Sequence, residues 1–136
     1  MKDMPASESI REDTSPRYSI SEVSDMTGIS AFTIRYYDKC GFFPNLQRGK
    51  NNVRWFSDGD IYALHLVDAL RKSGLSIEGI QYYVRLSLKG DSSRKERMAI
   101  LEARETVLEY QRDELEESLK TLHNEFGTLK NENEGA

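Results

Sequence analysis

The sequence predicts a mainly α fold: a winged helix-turn-helix domain followed by a long coiled-coil dimerisation helix. Three observations predict it. Two short amphipathic segments, 20–28 and 31–40, are joined by Thr27-Gly-Ile-Ser30. Two strand-like runs, 46–48 and 53–56, flank Gly49-Lys-Asn-Asn52, which is rich in residues that tolerate positive φ. Leu101, Leu108, Leu115, Leu122 and Leu129 recur every seven residues, in a stretch from 92 to 130 whose only Gly or Pro is Gly127.

The elements follow in order. Residues 1–16 are polar, carry Pro5 and Pro16 and show no periodicity, so a disordered leader is expected. The domain then occupies 17–90. In its first helix Ile20, Val23 and Met26 share a face, Ser21 is the expected cap and Gly28 supplies the stop. Ser30 caps the second helix, with Ile34 and Tyr37 on the inner side and Gly41 at its end. Pro44 after Phe42-Phe43 blocks any continuation. Ser57 caps a helix over 58–73, with Ile61, Leu64, Leu66, Val67 and Leu70 at its apolar positions. Asp58 and Asp60 suit its N-terminus, and Arg71 and Lys72 its C-terminus. Ser76 caps a helix over 77–88, ended by Gly90. The coiled coil spans 91–130, and 131–136 reads as a flexible tail.

Charge divides the 136-residue chain more sharply than its net value of −4 suggests. Residues 17–90 carry 10 basic and 7 acidic side chains, whereas 91–136 carry 7 basic and 12 acidic. A basic module followed by an acidic helix fits a phosphate-binding head, because screened attraction is local. One cysteine, Cys40, excludes an intrachain disulfide and a four-cysteine zinc site. Nothing in the spacing of His65 and His123 suggests a metal site. No run reaches the roughly 20 apolar residues of a membrane span, and the start has no secretory apolar core. A cytoplasmic protein with no membrane partner, metal or cofactor is expected. No nucleophile–base pair, paired carboxylates or phosphate-binding glycine loop stands out, so no enzyme is expected.

The ordered set Tyr18-Ser-Ile-Ser-Glu-Val-Ser-Asp-Met-Thr-Gly-Ile-Ser30, Thr33-Ile-Arg-Tyr-Tyr-Asp-Lys-Cys-Gly-Phe-Phe-Pro44, Arg48, Val53-Arg-Trp-Phe-Ser57 and Gly74-Leu-Ser-Ile-Glu78 resembles the MerR family of regulators. The likeness covers residues 18 to about 90 closely and the long helix in outline. Gly74-Leu-Ser-Ile-Glu-Gly-Ile80 and Lys89-Gly-Asp-Ser-Ser93 are similar to the aldehyde- and thiol-responsive subgroup. That subgroup's reactive cysteine falls where this chain has Ala69, so thiol sensing by that route has no support. Cys40, the only other thiol, is expected to be inert.

The resemblance implies a homodimer on double-stranded promoter DNA, at a pseudo-palindromic operator whose spacer it distorts for RNA polymerase. Arg35 offers a guanidinium fork to phosphate or a guanine edge. Tyr36 and Tyr37 have hydroxyls that can reach phosphate while their rings are covered below, with a purely core Tyr37 as the alternative. Ser30, Ala31, Phe32 and Thr33 stand at the helix N-terminus, where base edges are read. Arg48, Asn51, Asn52 and Arg54 line the wing, and Ser21 and Lys39 complete the DNA-binding set. Asn52-Val53-Arg54 departs from the glycine usual before the family's aromatic-arginine pair; asparagine tolerates the left-handed conformation, so the hairpin survives.

The dimer seam is Met98, Leu101, Glu105, Leu108, Arg112, Leu115, Leu119 and Leu122. A parallel pair would set Glu105 against Glu105 and Arg112 against Arg112, whereas an antiparallel pair sets Glu105 near Arg112. The alternative is that both are solvated flanks of a narrow seam. The resemblance independently implies the antiparallel arrangement. A second apolar face, Ile100, Ala103, Val107 and Tyr110, could lean on a globular head. The competing functions are an excisionase-like architectural DNA binder, which would lack the rod, and a coiled-coil adaptor, against which the basic head counts.

Overall fold

The computed structural model describes residues 12–135. Its elements are α1 (Ile20–Thr27), α2 (Ala31–Lys39), β1 (Gln47–Arg48), a 3-10 turn (Lys50–Asn52), β2 (Arg54–Trp55), α3 (Asp58–Lys72), α4 (Ile77–Ser87), a 3-10 turn (Gly90–Ser93) and α5 (Arg94–Gly135). A winged helix-turn-helix head thus carries a single long helix.

Side-chain caps set where the helices begin. Ser30, Ser57 and Ser76 accept from the backbone N–H groups of Thr33, Asp60 and Gly79, as the sequence predicts. At α1 the cap is Ser19, not Ser21. The Ser19 hydroxyl accepts from Glu22 N–H, and the Glu22 carboxylate accepts from Ser19 N–H. Only Ser19 has a glutamate three residues on, so the reciprocal pair forms there and leaves Ser21 exposed in the first turn. Between α1 and α2 Gly28 takes φ 75, a left-handed turn that a side chain would strain.

The core lies where α1–α4 and the wing meet. Val23, Ile34, Phe42, Phe56, Leu64 and Ile80 are fully buried in it. Phe56, just after β2, meets Phe43 edge-on at 5.8 Å. Its backbone also pairs with Tyr18, so the wing is stitched to the chain entering α1.

Residues 13–16 are not a detached leader. Asp13 C=O accepts from Gly59 N–H at 3.0 Å, and Thr14 C=O accepts from Gln47 Nε2 at 2.9 Å. This strap therefore ties the first turn of α3 to β1. Orphan N–H groups at a helix start seek any acceptor, and Asp13 supplies one that composition alone could not reveal. Residues 1–11 of the expected leader lie outside the described residues. Deleting residues 1–16 removes both hydrogen bonds and is expected to cost about 1–3 kcal/mol, at a net worth of about 0.5–1.5 kcal/mol each. Thermal unfolding would show a lowered Tm; an unchanged one would mean the strap adds nothing.

The long helix runs through Gly135 rather than ending at 130. Asn131-Glu-Asn-Glu134 contains neither proline nor glycine, so nothing stops it earlier, and 131–135 are helical where a flexible tail is expected from sequence. At its base Ile100 and Leu101 rest on the core, and Arg104 Nη1 donates to Ser73 C=O at 3.2 Å. Of the second apolar face, Ile100 and Val107 are half-buried, whereas Ala103 and Tyr110 stay exposed.

Candidate nucleic-acid interface

The recognition helix, α2, divides cleanly into two faces. Ile34 and Tyr37 point into the core. Phe32, Arg35, Tyr36 and Lys39, spaced three and four apart, form one exposed stripe. Phe32 is 77% exposed, unusual for so large an apolar ring and a sign of a surface made to be covered. Ser30 is exposed at the cap, while Ala31 and Thr33 are half-buried beside it. The Ser30 hydroxyl also donates to Thr33 Oγ1 at 3.0 Å, so these two side chains already hold each other.

Tyr37 does not belong to the exposed set. It is buried, its ring 5.6 Å from that of Phe42, and burial pushes its phenol up from the ordinary value. Its position three residues after Ile34 puts it on the inner face. Tyr36 keeps the outer place, and the neighbouring Cys40 side chain raises its phenol above the ordinary value. Cys40 is partly buried at the end of the helix.

The wing is shorter than the two runs of the sequence suggest. Gln47 pairs with Trp55 and Arg48 with Arg54 in two-residue strands. At the tip Asn51 and Asn52 take φ 59 and φ 60, the left-handed pair that lets the hairpin turn without glycine. Lys50, Asn51 and Asn52 are exposed there. Trp55 lies over Gly49, where a Cβ would come within 2.9 Å of the indole nitrogen.

Arg48 and Arg54 are not free wing charges. Both reach Asp38 on α2. Arg48 Nη2 meets its two carboxylate oxygens at 2.9 and 2.8 Å, and Arg54 Nε meets Oδ2 at 2.7 Å. The Asp38 side chain is only 7% exposed. Burial pushes its carboxyl up, but the two guanidiniums outweigh that and hold it below the usual carboxylate value. Recognition helix and wing are thereby locked as one surface. Asp38 is the residue that sequence reasoning missed. Its signal was present: it is the only carboxylate between Asp25 and Asp58, a stretch that also holds Arg35, Lys39, Arg48, Lys50 and Arg54.

Of the seam residues on α5, Leu101 and Leu108 are half-buried, Leu101 against the core, while Met98, Glu105, Arg112, Leu115, Leu119 and Leu122 are exposed. At the base of the helix a groove of about 510 Å³ opens between α3, α4 and α5, with Leu66, Val84, Leu88, Met98 and Leu101 in its wall. Ala69 is exposed on α3 and brings no thiol to the surface. No helix among the described residues is long and apolar enough to cross a membrane.

Comparison with known proteins agrees with this architecture. Residues 18–86 match the MerR HTH family regulatory protein domain. An uncharacterized HTH-type transcriptional regulator of Haemophilus influenzae is 32% identical over 77% of this chain and 78% of its own length. The regulator AdhR of Bacillus subtilis is 32% identical over 71% of this chain and 64% of its own. The crystal structure of HiNmlR, a MerR family regulator lacking the sensor domain, bound to promoter DNA, superposes with a TM-score of 0.70 at 32% identity, covering 76% of this chain and 78% of that one. A MerR-family regulator from Bacillus thuringiensis superposes with a TM-score of 0.72 at 29% identity, over 82% of this chain and 97% of that one. The chain belongs to the MerR family of helix-turn-helix transcriptional regulators.

Proposed function

We propose that the chain acts as a cytoplasmic homodimer that binds a pseudo-palindromic promoter operator and distorts its spacer so that RNA polymerase can use the promoter. The observation that carries this reading is the single outward stripe of Phe32, Arg35, Tyr36 and Lys39, with the wing locked beside it. A helix presenting a guanidinium, an ammonium and aromatic rings on one face suits a major groove, where arginine reads guanine or grips phosphate. Likeness to a regulator crystallised on promoter DNA supports the same orientation.

Ser30, Ala31, Phe32, Thr33, Arg35 and Tyr36 form the helix part of this DNA surface, with Lys39 at its far end and Ser21 on α1 beside the backbone. Lys50, Asn51 and Asn52 present the wing tip to the flanking DNA. An excisionase-like architectural role has no use for a 42-residue helix whose outer half touches no part of the head, so the dimeric reading is preferred.

The test starts from duplexes selected out of a random-sequence pool by the wild-type chain. The selected sequences are expected to be two-fold symmetric. Arg35→Ala should weaken binding to them by about 1–3 kcal/mol, roughly 5- to 150-fold. Transcription by purified RNA polymerase over a series of spacer lengths should respond to the protein only where the spacer is over-long. Arg35→Ala at wild-type affinity would remove α2 from the interface, and a response independent of spacer length would remove the distortion mechanism.

A further inference from the structure

Arg48 and Arg54 stand directly opposite each other in the wing ladder. Like charges across a strand pair repel, so this pairing destabilises the hairpin unless something neutralises it. Asp38, from the recognition helix, sits between them. It accepts three hydrogen bonds of 2.7–2.9 Å from the two guanidiniums, and no other carboxylate touches either arginine among the described residues. The nearest acid behind it, Asp60, is committed to the Ser57 capping box.

A guanidinium has five N–H groups in a fixed fork, more than one carboxylate can take. Arg54 gives Asp38 its Nε–H, which leaves both Nη groups; Arg48 gives it Nη2, which leaves Nε and Nη1. Arg48 is exposed and Arg54 is half-buried, so these remaining donors have access to solvent at the seam between α2 and the wing.

We propose that Asp38 is a positioning residue for DNA binding: its carboxylate aligns Arg48 and Arg54 as a two-guanidinium clamp whose remaining N–H groups take adjacent oxygens of the DNA backbone. The proposal rests on the DNA-binding reading above. Its logic is pre-organisation. Two arginines held by a carboxylate lose less freedom on meeting phosphate than two free ones, and their mutual repulsion is offset before DNA arrives. Recognition helix and wing then approach the duplex as one rigid unit, so a phosphate gripped by the wing fixes the depth of Arg35 and Phe32 in the groove. Phosphate contacts of this kind set register without reading bases.

If Asp38 were only an acid near DNA, removing its charge would tighten binding, because one repulsion of phosphate disappears. A clamp requires the opposite. On a duplex selected by the wild-type chain, Asp38→Asn is expected to raise Kd about tenfold or more, and to flatten the dependence of log K on log salt by about 0.9 for each phosphate that is no longer neutralised. In an Arg48→Gln, Arg54→Gln background the same Asp38→Asn change should be neutral or slightly tightening, since only the repulsion remains. Arg54→Lys keeps the charge but not the fork, so it should lose nearly as much affinity as Arg54→Gln.

Melting curves of each full-length variant, recorded alongside, keep loss of fold apart from loss of clamp, and Arg54→Lys carries the test if Asp38→Asn does not fold. Folded Asp38→Asn binding as tightly as wild type, Arg54→Lys at wild-type affinity, or the same Asp38→Asn penalty with and without the arginines would each overturn the clamp. Those outcomes leave the DNA-binding reading standing, provided that Arg35→Ala still weakens binding. Wild-type protein that selects no duplex would overturn both.

Discussion

Phe56→Ala is expected to lower the unfolding free energy by about 3–5 kcal/mol, a large share of what holds a small domain together. Phe56 has no exposed surface, meets Phe43 edge-on, and pairs through its backbone with Tyr18. Truncation would leave a cavity at the point where the wing, the segment entering α1 and the segment after α2 converge. The backbone there is already fixed by paired hydrogen bonds, so the site cannot collapse to fill it. Neighbouring Trp55 offers a control. It is 39% exposed and covers Gly49 at the edge of the hairpin, so Trp55→Ala should cost far less stability. Urea unfolding followed by circular dichroism would measure both. Equal losses for the two variants would mean that Phe56 does not hold this junction.

Most of the fold was legible because the signals for it are local. Ser30, Ser57 and Ser76 each precede a helix and cap it, and the turn glycines stand where the chain must reverse hand. The Ser19–Glu22 capping box is equally local, and Ser21, the cap expected from sequence, has the right side chain without the glutamate three residues on. The interface was half legible. Periodicity places Arg35, Tyr36 and Lys39 outside and Ile34 and Tyr37 inside, yet it says nothing about the partner of a wing arginine. Asp38 lies 10 and 16 residues from Arg48 and Arg54, and only the path of the hairpin back across α2 brings them together. The strap from Asp13 to Gly59 escaped for the same reason: it joins backbone groups 46 residues apart and leaves no pattern in side-chain type.

Leu122→Glu is expected to convert the protein to a monomer and to weaken operator binding by about 10²–10⁴-fold, because two half-sites would no longer be held by one molecule. In the outer half of α5, Leu115, Leu119, Leu122, Phe126 and Leu129 are 56–68% exposed. An exposed apolar stripe of that length suits a surface that another helix covers. Burying one leucine fully is worth about 1.5–3 kcal/mol, and two-fold symmetry counts every contact twice. A carboxylate in the seam would forfeit that gain and add its own desolvation. We propose that Glu105 and Arg112 set the direction of the partner. Setting Glu105 opposite Arg112 of the partner brings Leu119 level with Met98, which is exposed in the single chain. Met98 lies in the wall of the groove at the base of α5, so the register that pairs the charges sets the partner's Leu119 beside that groove. Partly exposed ion pairs contribute only about 0.5 kcal/mol each, so they select orientation while the apolar stripe supplies the affinity. In a Cys40→Ser background, Leu119→Cys combined with Met98→Cys should crosslink position 119 to position 98. Exchanging the charges, Glu105→Arg with Arg112→Glu, should restore any pairing that either single change weakens. Sedimentation showing dimeric Leu122→Glu, or crosslinks joining 119 to 119, would rule the antiparallel seam out.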